Sequence, residues 1–542
     1  MIRLQHLLVA LAICAVHVHA QNADVSAERV SMDAALLRVL QGHASPGTMA
    51  VWPQSQRRVT SADSSSTNPL LRKFHDYLNE YYGTSVSDSV KRFRLYTENN
   101  SSLNFGVDAS MMFRAGSTTI GDTADPFLLA RPAMRFMGNL DGTLGFFLDL
   151  SNGVKLRGDS RRIATSDPVL GRTFKFLVEE QQFFDRYIGY VQYQGEHLRV
   201  RFGREQIQMG FSPIDNLVHS INAAPMDGLL IDVPYKSVRF TSTHSMVDGA
   251  DTAGVAVPGK FVATHRLAID PLPWLSVAVS DVIVYWNRGL DLAYLNPLAF
   301  FVSAGLGTAD RSATDNSMLG VDVAVRPMDG MLVYGSFIAD DLAFSTIGDT
   351  SWLGNNNKYA WQLGLSQLVD VAAMPLLLSA EYVRIDPFTF SHRSMSASYT
   401  HMGAPIGYDM QSNSDRVAAQ VRLWLAPRTF VRLDVDYTRW GENILDVFGN
   451  VLTGEDPRFP GSGAVVAIGN VGGNISRGDG DFLQGNRFLR GVVSHSRRVN
   501  LWFSSELLTN VFADVRVGYR NRSGGNDPGS VMFGSVELRV GY

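Results

Sequence analysis

Few neighbouring residues of this 542-residue chain form a constellation that could do chemistry. His219 stands beside Ser220, and His392 lies two positions before Ser394. A hydrolase built from them needs hydroxyl, imidazole and an orienting group to converge within hydrogen-bond reach, and adjacency in sequence does not bring that about. His392 and His401 share one long polar segment, but no Cys or carboxylate framework surrounds them, so they make a poor metal site. The only cysteine is Cys14. The sequence therefore predicts no enzyme, no catalytic residue, no metal and no cofactor.

A different chemistry is available to the aromatic residues of the long polar segments: Trp286, Tyr294, Phe300, Phe301, Trp352, Phe388, Phe390, Tyr399, Tyr408 and Trp440. Aromatic faces stack on the apolar faces of sugar rings, while Asn, Asp and Arg side chains hydrogen-bond the hydroxyls. The competing use of such residues is as anchors at the two membrane interfaces of a barrel.

The elements that hold these segments read as strands. In 198–202, 417–425 and 431–437, apolar residues alternate with Arg, Asp and Gln, which puts each set on its own face of a sheet. Short connections alternate with long ones such as 116–130, 205–228, 288–317, 386–414 and 441–491. Minimal turns at one end and extended loops at the other are the pattern of a transmembrane antiparallel β-barrel, here of about 18 strands, with an apolar face toward lipid and a polar face toward the lumen. The fold class is all-β. The pattern is plainest in 261–301, where a Pro-Leu-Pro corner joins two strands, the eighth and ninth of the count. There Leu275, Val277 and Val279 set an outward phase that would also turn Asp281 toward lipid, so a bulge or the membrane boundary is expected at that point.

Inward positions carry charges of both signs. Arg199, Arg201, Asp322, Arg422, Arg432, Asp434 and Asp436 form a predicted lumen network able to cross-link the interior. Beyond the leader, no apolar run is long enough for a membrane helix. With 45% hydrophobic and only 18% charged residues, a net charge of -4 and no basic runs, nucleic acid is not an expected partner.

Three segments are expected. Residues 1–20 read as a secretory signal peptide, with Arg3 before an apolar core and a small-residue cleavage site. Residues 21–100 form a small N-terminal periplasmic helical region, with helical periodicity in 27–40 and 68–82 and a Ser/Thr-rich linker at 54–67; it either hangs beneath the barrel or plugs it. Residues 101–542 form the barrel, ending on the aromatic Tyr542 that resembles a signal for the barrel-assembly machinery.

Several motifs together resemble the capsule-assembly Wzi family of outer-membrane proteins. They are Phe202-Gly203-Arg204 with NAAPMDGL at 222–229, Thr264-His265-Arg266-Leu267 leading to 281–285, RGLDLAYLNPL at 288–298, 316–323, and Tyr399-Thr400-His401 leading to Gly407. The resemblance implies an 18-stranded barrel in the outer membrane of a Gram-negative cell, non-enzymatic, that acts as a lectin for surface or capsular polysaccharide in capsule assembly. Its partners would be outer-membrane lipid and that polysaccharide. The candidates for glycan contact are Arg288, Tyr294, Asn296, Trp352, Tyr399, His401 and Tyr408. The rival expectation is a porin or uptake channel, since a barrel of this size can enclose an aqueous pore.

Overall fold

The computed structural model describes residues 36, 39–40, 42, 44–49, 51–52, 95–99, 102–174, 182–248, 259–299, 301, 314–340, 357–371, 374–426, 428–457, 459–477, 487–508 and 510–541. The signal peptide, the linker, the helix expected at 68–82, Trp352 and Tyr542 lie outside the described residues.

Eighteen strands build a closed wall. They are β1 (Leu103–Ile120), β2 (Thr123–Leu140), β3 (Leu144–Arg157), β4 (Phe183–Gln194), β5 (Arg199–Glu205), β6 (Met226–Tyr235), β7 (Val238–Met246), β8 (Phe261–Leu272) and β9 (Leu275–Tyr285). The circuit continues through β10 (Asn316–Val325), β11 (Met331–Asp340), β12 (Lys358–Val371), β13 (Met374–Ile385), β14 (Ser414–Ala426), β15 (Thr429–Glu442), β16 (Val492–Leu508), β17 (Val511–Gly524) and β18 (Gly529–Gly541). Each strand runs antiparallel to the next, and β18 returns to β1, from Val531 opposite Ile120 to Gly541 opposite Ser110. Closure leaves the wall without an edge, so its backbone groups are satisfied within lipid.

Alternation of side chains sets the two faces. On β15, Arg432, Asp434 and Asp436 turn inward, opposite Trp502, Asn500 and Arg498 of β16. The outward residues between them include Val435, which is 42% exposed, beside Val499 at 44%. By the orientation rule for such barrels, short turns face the periplasm and long loops the outside.

Strict alternation of short and long connections fails in two places. The expected loop at 116–130 is strand instead: β1 and β2 run through it and turn at Gly121 and Asp122. Gly121 has φ +57, the left-handed backbone that a two-residue hairpin requires. Residues 525–528 make a second short outer connection, between β17 and β18.

Of the two alternatives expected at Asp281, the bulge is not found. The ladders of β9 with β8 and with β10 run unbroken past it, and the irregularity lies at Ile269/Leu272 instead. No bulge is needed because the β9–β10 loop folds back over the outer face of the wall. Phe301 N–H donates to the Asp281 carboxylate at 2.7 Å. Tyr294 and Phe301 of this loop bury Phe261, Ala263, Ile283 and Tyr285 on that outer face.

The β6–β14 side of the lumen is filled from both ends. Leu36, Val39 and Leu40 are helical and buried. At the short-turn end Arg326 Nη1 donates to Val39 O at 3.0 Å, Gly330 N to Leu40 O at 2.6 Å, and Ser45 Oγ to Asp270 at 2.7 Å. The chain then pairs Val51 and Trp52 antiparallel with Met209 and Gln208 of the β5–β6 loop. These pieces share one apolar cluster with inward residues of β6 and β8–β14, among them Leu230, Val262, Val282, Tyr334 and Trp424. Removing each large apolar side chain from water contributes about 1.5–3 kcal/mol.

Candidate functional site

Two long loops close the outer mouth, and they carry the motifs that stood out in the sequence. Residues 206–225, between β5 and β6, descend into the barrel. Residues 386–413, between β13 and β14, meet them there. Tyr399 OH donates to Val218 O, and Ser220 N donates to Ile406 O at 3.0 Å. The loops approach so closely at Gly407 that a Cβ there would collide with the Leu217 carbonyl, which explains a glycine at this position of the motif.

Two buried carboxylates organise the contact. Glu381 of β13 accepts from Tyr408 OH at 2.6 Å, Ser212 Oγ at 2.7 Å, Gln362 Nε2 at 2.9 Å and Tyr334 OH at 2.9 Å. Asp215 accepts from Asn216 N at 2.8 Å, Asn222 Nδ2 at 2.8 Å, Asp409 N at 2.9 Å and Ser220 Oγ. Burial pushes the Asp215 carboxyl up to about 7, against the opposing pull of the Ser220 hydroxyl and the Asp409 N–H. Nothing in the sequence marked Asp215 or Glu381, because their partners come from separate loops and strands.

His219 lies beside Tyr399, and its Nε2 contacts Thr264 Oγ1 at 2.9 Å. Burial, with the Arg266 charge nearby, pushes this imidazole down to about 3. Ser220 turns instead to Asp215, so the adjacent His and Ser have different partners. His392 Nδ1 accepts the backbone N–H of Ser394 at 3.1 Å.

The candidate glycan residues fall into two separate places. Tyr399, His401 and Tyr408 lie in the closed mouth. Tyr399 and Tyr408 are each 1% exposed, and His401 Nδ1 accepts Asp248 N–H at 2.9 Å. Burial lowers the His401 pKa from its ordinary value. Arg288, Tyr294 and Asn296 belong to the flap outside β7–β9. There Arg288 reaches both carboxylate oxygens of Asp315 at 2.7 Å, and Tyr294 OH donates to Asp315 at 2.6 Å. The Tyr294 ring is fully buried, whereas Asn296 is exposed and accepts Leu298 N–H at 3.1 Å. Among the described residues of the long loops, the most exposed aromatic residues are Phe448, 84% exposed, and Phe459, 61% exposed. Both lie in the β15–β16 loop and were not among the sequence candidates.

The inward charges meet across the wall. Arg199 and Arg239 share Asp232, at 3.2 and 2.6 Å. Arg201 binds Glu205 and lies 4.1 Å over the Tyr190 ring. Asp322 binds Arg266. Arg422 donates to Gln420, Gln420 to Asp434, and Arg432 to Asp434, at 2.9, 2.8 and 2.7 Å. Arg498 donates to Asp436 at 2.6 Å.

Wall, lipid-facing belt and a lumen filled along β6–β14 define an outer-membrane β-barrel whose outer loops fold inward. A family model described as "Capsule assembly protein Wzi" matches residues 160–457, more than half of the chain, and the chain belongs to that family. Among solved structures, Wzi of Escherichia coli is similar at 13% identity, covering 96% of this chain and 99% of that one with a TM-score of 0.58, which shows the shared fold. That protein is described as an outer-membrane protein involved in group 1 capsule assembly and a carbohydrate-binding β-barrel. OprD of Pseudomonas aeruginosa is similar at 12% identity and a TM-score of 0.42, over 84% of this chain and 98% of that one, a likeness too slight to bear on function. A search of curated proteins found no match.

Proposed function

We propose that this barrel binds surface or capsular polysaccharide at its long-loop face as a lectin in capsule assembly, without conducting solute and without catalysing a reaction. One observation carries the reading. The 206–225 and 386–413 loops and the N-terminal segment meet inside the lumen along β6–β14, so over that sector the outer end offers a surface rather than an opening. The described relative from Escherichia coli is a carbohydrate-binding barrel, and membership of the same family supports the same class of ligand here.

In this reading the roles of the candidates divide. Tyr294, Tyr399 and Tyr408 hold loops in place through buried hydroxyls. Glycan contact falls to Trp352, a candidate from the sequence alone, and to exposed groups: Asn296, the partly exposed edge of Arg288, and the exposed side chains of Phe448 and Phe459, whose aromatic faces suit stacking on sugars. The test is retention of purified capsular polysaccharide by the full-length protein. Phe448→Ala with Phe459→Ala is expected to weaken retention about tenfold, on the order of 1–1.5 kcal/mol of stacking. Undiminished retention would remove both rings from the site. Steady, large openings of the unaltered protein in a planar bilayer would favour the porin instead.

A further inference from the structure

The outer face of β13–β16 carries an unusual concentration of positive charge at its upper margin. Arg384 of β13 stands opposite Asp415 of β14, Asp415 opposite Arg439 of β15, and Arg439 opposite His495 of β16. All belong to the outward phase. One step lower, Tyr437 stands opposite Arg497, and Tyr437 OH contacts His495 Nδ1 at 2.7 Å. The following outward rows are uncharged: Ala380, Ala419, Val435, Val499 and Tyr519, then Leu378, Val421, Leu433, Leu501 and Val517.

At about 3.3 Å of rise per residue and a strand tilt of about 40°, the arginine row lies roughly 10 Å above the Val435 row, at the upper margin of the apolar rows. Tyr382, Tyr437 and Trp361, whose ring is 4.9 Å from that of Tyr382, mark the same level as an aromatic girdle.

The segment just before β16 adds to the charge. The Phe488 ring lies 3.9 Å from the Arg384 guanidinium, which brings Arg487 and Arg490 to the same margin. Asn413 holds this segment through Arg490 O at 2.8 Å and Leu489 N at 2.7 Å. Burial and the neighbouring Arg487 both lower the Arg490 pKa, as expected of a cation crowded by another. Arg384 and Arg439 have partners in Asp386 and Asp415. Among the described residues, Arg487, Arg490 and Arg497 form no ion pair; Arg497 has only the Tyr437 ring, at 5.9 Å. A second charged position on the outer wall is balanced by contrast, with Arg204 bound to Asp227.

We propose that Arg384, Arg439, Arg487, Arg490, His495 and Arg497 form a binding site for the phosphate groups of an outer-leaflet glycolipid, whose acyl chains lie on the apolar rows below. Guanidinium forks match phosphate oxygens in geometry and charge. Continuity with the lipid-facing wall selects a lipid as the source of that phosphate. The site lies on the membrane side of the wall, apart from the loop face assigned to polysaccharide.

The experiment measures binding of a fluorescent bisphosphorylated lipid A to the full-length protein in detergent, beside the same lipid stripped of phosphate and inorganic phosphate alone. Arg490→Gln with Arg497→Gln removes two unpaired cations without breaking an ion pair. Arg204→Gln on the balanced position is the control, and heat-shifted gel mobility verifies folding of each variant. At about fivefold per arginine near a charged lipid surface, the double variant is expected to bind the phosphorylated lipid roughly 25-fold more weakly. The control should bind as the unaltered protein does, and the phosphate-free lipid should bind weakly to all. Equal binding of both lipids, or no loss in the folded double variant, would overturn the proposal. Inorganic phosphate that binds alone and is lost in the double variant, without preference for lipid, would identify a small-anion site and overturn the lipid assignment.

Discussion

The lumen has two sectors that solve the same problem differently. From β6 to β14 it is filled by the inward loops and the N-terminal segment around one continuous apolar cluster. Charges caught there are sealed: Arg266 and Asp322 side chains are 0% and 2% exposed, and Asp322 also accepts from Ser336. From β15 through β18 to β4 the interior is wetter, with only small apolar clusters. Arg135 and Asp149 are each 24% exposed, and Arg516 is 34% exposed. The difference shows that inward charge does not itself close a barrel. What closes it is chain that displaces water, after which the charges must be paired because the solvent that screened them is gone.

Three substitutions test that contrast. The largest effect is expected from Asp322→Ala, which strands Arg266 in a dry site and should cost about 3–5 kcal/mol, read as a lower melting temperature in detergent. A loss no greater than that of Arg135→Gln would mean that the two sectors are equally solvated.

The second concerns pH. The folded Asp215 carboxyl titrates near 7, far above an ordinary aspartate. Its raised value means that the folded state holds the proton more tightly than the unfolded chain. The resulting stabilisation is full below pH 4 and fades as pH rises through about 7, by a few kcal/mol at most. His219, held neutral by burial, opposes this at low pH, because its stabilising effect is complete only above the ordinary histidine value and fades below it. Asp215→Asn should remove the first effect, so that stability rises more steeply from pH 4 to pH 7 than in the unaltered protein. A pH profile unchanged by the substitution would place the proton elsewhere.

The smallest effect belongs to the wet sector. Arg135→Gln breaks a part-exposed pair with Asp149, 2.9 Å across, and should cost no more than about 1 kcal/mol. A loss of several kcal/mol would show that this sector is as dry as the other.

Period-two alternation and the spacing of turns were enough to read a closed barrel of about eighteen strands, and even the numbering of β8 and β9, because each strand must show one face to lipid and the other inward. The inward charges of β5, β14 and β15 were legible for the same reason. Local pattern could not tell where a loop goes after it leaves the wall. The RGLDLAYLNPL segment supplied three of the glycan candidates, yet it lies on the outside of β7–β9 and covers Asp281, which alternation alone had turned toward lipid. Tyr399 and Tyr408 looked available to a ligand and are buried against Val218 and Glu381. Tertiary structure decided these positions, because burying a loop depends on partners far away in sequence. The sequence by itself determined the wall, whose requirement repeats every two residues; the closure depended on contacts that no local repeat encodes.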